Sequence, residues 1–269
     1  VFSGLENYSV SFSKSFDPDI KIKSLKGNTL YADDNDLELI SKTPGVVSVS
    51  KTILGKAVVQ NDGKTEFAEI IGVDNEFENV ILIDSIMQVG QFSKLDIYSS
   101  YTSSAISERL NLTLYNMSGE FTVSTISSDY LNFFLQPFGN SQALISNGVF
   151  KTRDNENENK IIVSLPFASG LFSYEKNTYS ELLLKTSGNS NAIKAKLKKL
   201  FPDFSILTHK EQNETLYKIM QSEKLIVTAI MFFIVLISAF NVVAAVSMLI
   251  IEKEDNIKTL RALGMNKKD

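Results

Sequence analysis

Residues 225–251, LIVTAIMFFIVLISAFNVVAAVSMLII, run for 27 positions without a charge, between Lys224 and the pair Glu252 and Lys253. At about 1.5 Å per residue this is roughly 40 Å of helix, enough to cross a hydrocarbon core of about 30 Å with some tilt. A helix buried in a soluble core is the alternative, but such helices rarely run this far without a charged face. The stretch predicts a transmembrane α-helix, with a large domain on one side of a membrane and a short segment on the other.

The flanks extend this reading. Upstream, Thr208-x-x-Glu211 has capping-box spacing, in which hydroxyl and carboxylate satisfy free N–H groups at a helix start. Leu216, Ile219 and Met220 follow at helical intervals, so residues 208–251 are expected to form one continuous connecting and transmembrane helix able to transmit motion. Downstream, residues 252–269 (EKEDNIKTLRALGMNKKD) place Ile257, Leu260 and Leu263 on one helical face, with Gly264 where a C-cap would sit. Lys210, Lys218 and Lys224 precede the span, whereas Lys253, Lys258, Arg261, Lys267 and Lys268 follow it. Three against five assigns the C-terminal side to the cytoplasm. Asn241 is a polar residue inside the span; in lipid it costs free energy unless it faces another helix, which predicts helix packing.

The preceding residues read as an α+β domain. Residues 19–26 alternate apolar and charged positions, as a half-buried strand does. Asp33, Asp34 and Asp36 open a helix through Leu37 and Ile40 that Pro44 and Gly45 end. Residues 46–50, 56–60 and 65–73 are strand-like, with Asn61-Asp62-Gly63 as a hairpin turn. Much later, residues 179–186 form a strand, 189–200 a helix and 204–207 a strand. Strand-helix-strand-strand followed by strand-helix-strand is the order of a split βαβ, ferredoxin-like unit. We therefore assign residues 19–75 and 178–207 to a membrane-proximal split lobe and 76–177 to an inserted α+β lobe. Within the insert the expected strands are 94–99, 112–115 and 120–126, the helix 101–110, and the hairpin 143–150 with 160–165 around the solvated turn DNENEN. Val1, Leu5, Tyr8 and Phe12 recur at helical spacing, so residues 1–18 are read as the end of a preceding membrane helix and a linker, in a chain that is a fragment.

Composition adds exclusions. Lys and Arg total 27 against 31 Asp and Glu, which gives nucleic acid no basic footprint to bind. There is no cysteine, as suits an oxidising compartment, and a single histidine, His209. His209 lacks a cysteine partner for metal and is assigned a surface or capping role, with no metal site. Gly63-Lys64-Thr65 resembles the end of a phosphate loop, but position 58 is Val where the motif needs Gly. No G-x-S-x-G elbow occurs, so no catalytic residue is assigned and the chain is not read as an enzyme.

Several segments resemble a known family. Ser222-Glu223-Lys224, Ala239-Phe240-Asn241-Val242-Val243, Glu252-Lys253 and the run Asp255 to Gly264 resemble the second membrane helix and the coupling helix of FtsX-like ABC transporter permeases, closest to the lipoprotein-releasing LolC/LolE type. Thr43-Pro44-Gly45-Val46-Val47 resembles that family's PGV turn, Ile71-Gly72-Val73-Asp74 its GVD strand end, and residues 104–112 its LAxxLGL helix. Asn111 stands where the family usually has Gly, and its vGxF strand reads Asn147-Gly148-Val149-Phe150.

The resemblance implies a MacB-like periplasmic domain and a multi-pass protein of the bacterial inner membrane. It implies a permease subunit that extracts lipoproteins from the inner membrane and hands them to a periplasmic LolA-like carrier. ATP is hydrolysed on a separate ABC ATPase, so this chain needs no cofactor of its own. The ATPase-coupling residues it implies are Glu254, Ile257, Leu260, Arg261, Leu263 and Gly264, and it implies a second permease subunit as partner. Gln136, Pro137, Phe138, Gly139 and Asn140 occupy the place of the carrier-binding hook; an ordinary hairpin loop is the other reading there. A MacB-like efflux permease and an FtsX-like regulator of cell-wall hydrolases are the functional alternatives.

Overall fold

The computed structural model of the protein describes residues 17–112, 119–126, 138–151 and 159–263. The proposed N-terminal helix end, residues 113–115 of an expected strand and most of DNENEN lie outside them. The chain divides into two compact units, one ending at Asn213 and one beginning at Glu214.

In the first unit the strands are β1 Ile20–Ser24, β2 Leu30–Tyr31, β3 Val46–Asn61, β4 Lys64–Val73, β5 Met87–Val89, β6 Ser99–Ser103, β7 Glu120–Ile126, β8 Phe138–Phe150, β9 Lys160–Ser164, β10 Thr178–Tyr179, β11 Glu181–Thr186 and β12 Phe204–Thr208. The helices are α1 Asp34–Ser41, α2 Phe77–Val80, α3 Ser104–Arg109, α4 Leu165–Leu171, α5 Ser190–Leu200 and α6 His209–Gln212. Alternation explains β1: Ile20 and Ile22 are fully buried while Lys21 and Lys23 face the other way. Asp33 caps α1 reciprocally with Asp36, and Asn189 caps α5 by accepting the Asn191 N–H.

Four strands run in the order β12-β1-β11-β3, every neighbour antiparallel. α1 and α5 cover one face, burying Ile40, Ile193 and Leu197 against Ile20, Ile22, Leu182 and Leu184. β3 then continues past this sheet. It pairs with β11 through Thr52 and with β4 from Thr52 to Asn61, turning at Asp62 (φ 45°) and Gly63 (φ 75°). Both turn residues in the left-handed region give the tight twist that a two-residue hairpin needs. The two strands expected at 46–50 and 56–60 are thus one 16-residue strand.

The far half of that hairpin closes a ring. β4 pairs with β9, β9 with β6, β6 with β8, β8 with β7, and β7 returns to β3 at residues 57–60. Ala57, Val59, Ile70, Phe121, Val123, Leu144, Ile161 and Val163 fill one core, which α3 and α4 complete with Ile106, Phe167 and Ala168. Strand segments on both sides of residue 75 build this ring.

Three sequence expectations need correction here. The strand expected at 94–99 falls instead at 99–103, and the helix expected from Tyr101 starts only at Ser104. Residues 143–150 and 160–165 do not form a hairpin, because β6 lies between β8 and β9. β6, with sequence SSYTS, is buried at every position, its hydroxyls bonded internally: Ser100 Oγ donates to the Ile145 carbonyl at 3.0 Å, and Thr102 Oγ1 lies 3.0 Å from Ser146 Oγ. Asn111 has φ 57°, a conformation Asn adopts more readily than most side chains. Glycine adopts this conformation freely as well.

The second unit is the helix α7, Glu214–Ala262, which is long and apolar enough to cross a membrane.

Candidate functional site

The two ends of the first unit are tied together at one place. Asn213 Nδ2 donates to Asp17 Oδ2 at 2.7 Å, Gln212 Nε2 to the Pro18 carbonyl at 3.2 Å, and the His209 N–H to the Asp19 carbonyl at 3.1 Å. His209 Nε2 lies 3.9 Å from Asp17 Oδ2 with its side chain 12% exposed, so this half-buried ring at the start of α6 faces the clasp. No group of three metal-ligating side chains occurs among the described residues.

The expected Thr208 capping contact forms: the Thr208 N–H and hydroxyl both donate to Glu211 Oε2, at 2.8 and 2.9 Å. Burial pushes the Glu211 carboxyl up, but the Lys194 ammonium and the two Thr208 donors together hold it below its ordinary value. The helix it starts is nevertheless short. Asn213 leaves helical geometry (φ −113°, ψ 35°), so the continuous helix expected over 208–251 is broken between α6 and α7. The Asn213 amide also donates to the His209 carbonyl at 3.3 Å and so caps α6.

Asp74, the last residue of the GVD-like segment, ties the start of β3 to the turn after β4. Its carboxylate accepts from Ser50 Oγ at 2.7 Å, the Lys51 N–H at 3.0 Å and the Glu76 N–H at 3.2 Å. Burial pushes its pKa above the ordinary carboxylate range, against these donors. Pattern reading assigned it no role; three converging donors are visible only in the folded chain.

Residues 252–262 continue α7 without a break, so the expected coupling segment is not a separate helix there. Ile257 and Leu260 are exposed on it, at 39% and 46%, and Leu263, just past its last residue, at 81%. Spaced three residues apart, they share one side of the helix. Lys258 bridges Glu254 and Asp255, both at 3.3 Å, and Arg261 is exposed. Gly264 lies outside the described residues. Asn241 is exposed within the apolar run.

Of the hook residues, Gln136 and Pro137 lie outside the described residues. Phe138, Gly139 and Asn140 are not a hairpin tip: they begin β8, where Phe138 stands opposite Ile126 of β7. Phe138 is 40% exposed and Ile126 41%. Asn140 Nδ2 donates to the Leu171 carbonyl at 3.1 Å, which ties this strand start to the end of α4.

An unbranched apolar helix, an exposed apolar side on its charged extension and a mixed α+β unit before it are the elements to set against known proteins. Residues 228–269 match the FtsX-like permease C-terminal family. The chain is also 25% identical over 269 residues to the lipoprotein-releasing system transmembrane protein LolC of Buchnera aphidicola subsp. Schizaphis graminum, covering 99% of this chain and 65% of that protein. It is 24% identical over 240 residues to the LolC of the Acyrthosiphon pisum subspecies, covering 88% and 59%. It thus spans less than two thirds of the length of either relative. The first unit resembles two solved domains. One is the extracellular domain of the ABC-type transporter YknZ from Gram-positive bacteria, with TM-score 0.50 and 11% identity over 70% of this chain and 99% of that one. The other is the periplasmic region of MacB from Actinobacillus actinomycetemcomitans, with TM-score 0.50 and 14% identity over 74% and 92%. At such identities these likenesses speak for the fold: a mixed α+β domain of the MacB and YknZ extracytoplasmic type, in a chain with an FtsX-like permease segment.

Proposed function

We propose that this chain is part of the permease subunit of an ABC transporter that extracts lipoproteins from the inner membrane and passes them to a soluble periplasmic carrier. The observation that carries the reading is the conjunction, in one chain, of the FtsX-like permease match over 228–269 and similarity to two LolC proteins over nearly the whole length of the first unit. The first unit lies in the periplasm on this reading; its strands β12-β1-β11-β3 with α1 and α5 form the split βαβ lobe, and the second lobe is the ring, to which the far half of β3 and β4 contribute together with strands of the expected insert 76–177. Further spans outside this sequence complete a multi-pass permease of the bacterial inner membrane.

The division of labour follows from the chemistry. ATP binds and is hydrolysed on a partner ATPase, and this chain supplies no catalytic side chain or cofactor. Ile257, Leu260 and Leu263 give the ATPase an apolar contact flanked by Glu254 and Arg261, with Gly264 just beyond. Asn241 satisfies its amide against another membrane helix. The helical path is interrupted at Asn213, and Asp17, Pro18 and Asp19 hold residues 209–213 within the first unit. The β7/β8 end around Ile126 and Phe138, with Gln136, Pro137, Gly139 and Asn140, is the carrier-binding surface.

Depleting the protein and fractionating the membranes tests this reading. Lipoproteins should accumulate in the inner membrane. Drug sensitivity without lipoprotein retention would favour MacB-like efflux instead, and failure of cell separation without retention an FtsX-like regulator of wall hydrolases.

A further inference from the structure

Helices α1 and α5 cover the same face of the four-stranded sheet and carry opposite charge. α1 with its cap holds Asp33, Asp34, Asp36 and Glu38 and ends beside Lys42; α5 holds Lys194, Lys196, Lys198 and Lys199 and no acid. Some of this charge is used locally. Glu38 pairs with Lys42 and Lys194 with Glu211, while Lys198 donates to the Pro202 and Phe204 carbonyls. Asp34, Lys196 and Lys199 are exposed and have no ion-pair or hydrogen-bond partner among the described residues.

The outer surfaces suit close approach. Ala192 and Ala195 are exposed on α5 beside Lys199, with Leu200 53% exposed at its end. On α1, Leu39 is 52% exposed next to Glu38. The start of α5 lies against the turn that follows α1: Ile193 is so near Gly45 that a Cβ there would fall 2.7 Å from it, and the Ser187 N–H donates to the Gly45 carbonyl at 2.8 Å, while Ile40 of α1 and Ile193 and Leu197 of α5 share one core.

A twofold axis running along these helices places α1 of each copy opposite α5 of the other. Every contact then occurs twice, and each is between unlike charges. We infer that a second copy of this chain docks on this face, the acidic α1 of one copy on the basic α5 of the other and the reverse. The inference rests on the permease reading only in that both copies are anchored in one membrane.

Because the chain has no cysteine, disulfide trapping is unambiguous. Asp34→Cys in one tagged copy and Lys199→Cys in a differently tagged copy, co-expressed in membranes, should form a mixed-tag dimer on oxidation. Separately, Lys196→Glu with Lys199→Glu should lower recovery of a wild-type tagged copy about tenfold. A partner carrying Asp34→Lys with Glu38→Lys should restore it, since both contacts are then again between unlike charges; this rescue separates a lost interface from a lost fold. Copies that co-purify without the 34–199 disulfide place the interface elsewhere and overturn the inference, as do copies that never associate. If release of lipoproteins persists in either case, the permease reading stands and the interface alone falls.

Discussion

Gly72 on β4 faces Ala168 of α4 so closely that a Cβ at position 72 would lie 2.2 Å from the Ala168 Cβ, with Ile53 Cβ on its other side at 3.6 Å. Two methyl carbons in ordinary contact stand about 3.5–4.0 Å apart, so Gly72→Ala forces more than 1 Å of movement between α4 and the hairpin β3–β4. Ala168 is fully buried, and α4 is held against this core by Phe167 and Leu171, so moving it away exposes them too. Overpacking of this kind costs about 1–3 kcal/mol, and the depth of the overlap argues for the upper half of that range. For a domain of this size each kcal/mol lowers Tm by about 2–4 °C, so a fall of roughly 4–12 °C is expected. Thermal melting followed by circular dichroism on the whole detergent-solubilised chain is the assay. Ala168→Gly on the Gly72→Ala background removes the other methyl and should recover about half or more of the loss, a coupling of about 1 kcal/mol or more. An unchanged Tm in Gly72→Ala, or strictly additive effects in the pair, would refute the packing of α4 onto the ring.

Three further outcomes are expected. Leu260→Asp or Leu263→Asp should leave membrane insertion intact but uncouple ATP hydrolysis from transport, because an unpaired carboxylate buried at a protein contact costs several kcal/mol; co-purification of the ATPase with each variant checks it. Phe138→Ala should weaken carrier binding about thirtyfold, about 2 kcal/mol, in a pull-down, with little change in Tm because the ring is already 40% exposed. Asp74 favours the folded state below the ordinary carboxylate value of 3.8, and this contribution is lost as pH rises through its raised folded-state pKa. The Tm of Asp74→Asn minus that of the wild type should therefore climb with pH across that window, and a flat or falling difference would contradict the burial assigned to Asp74.

Local signals carried much of the first unit. The alternation of Ile20 and Ile22, the Asp33 and Asn189 caps, and Asn61-Asp62-Gly63 each act through neighbours in the chain, and each marks an element that forms. β6 was illegible for a different reason. The local pattern divides SSYTS between the end of a strand and the start of a helix, whereas it is one strand whose hydroxyls are satisfied by β8, some 45 residues away in sequence. Closure of the ring depends on β7 returning to β3, and no local pattern encodes it. The break before α7 was equally hidden, since Leu216, Ile219 and Met220 continue a helical pattern while the bond from Asn213 to Asp17 spans nearly the whole unit. Of the candidate site, the exposed side formed by Ile257, Leu260 and Leu263 followed directly from spacing. The place of Phe138 within a ladder did not, because it depends on the register with Ile126.

The central claim is ATP-driven release of lipoproteins from a membrane. The complete permease, reconstituted in proteoliposomes with its ATPase and an acylated lipoprotein, should transfer that lipoprotein to a soluble carrier when ATP is added and retain it without ATP. Transfer that is independent of ATP, or ATP hydrolysis that leaves the lipoprotein in the membrane while wild-type subunits remain assembled, would contradict the account.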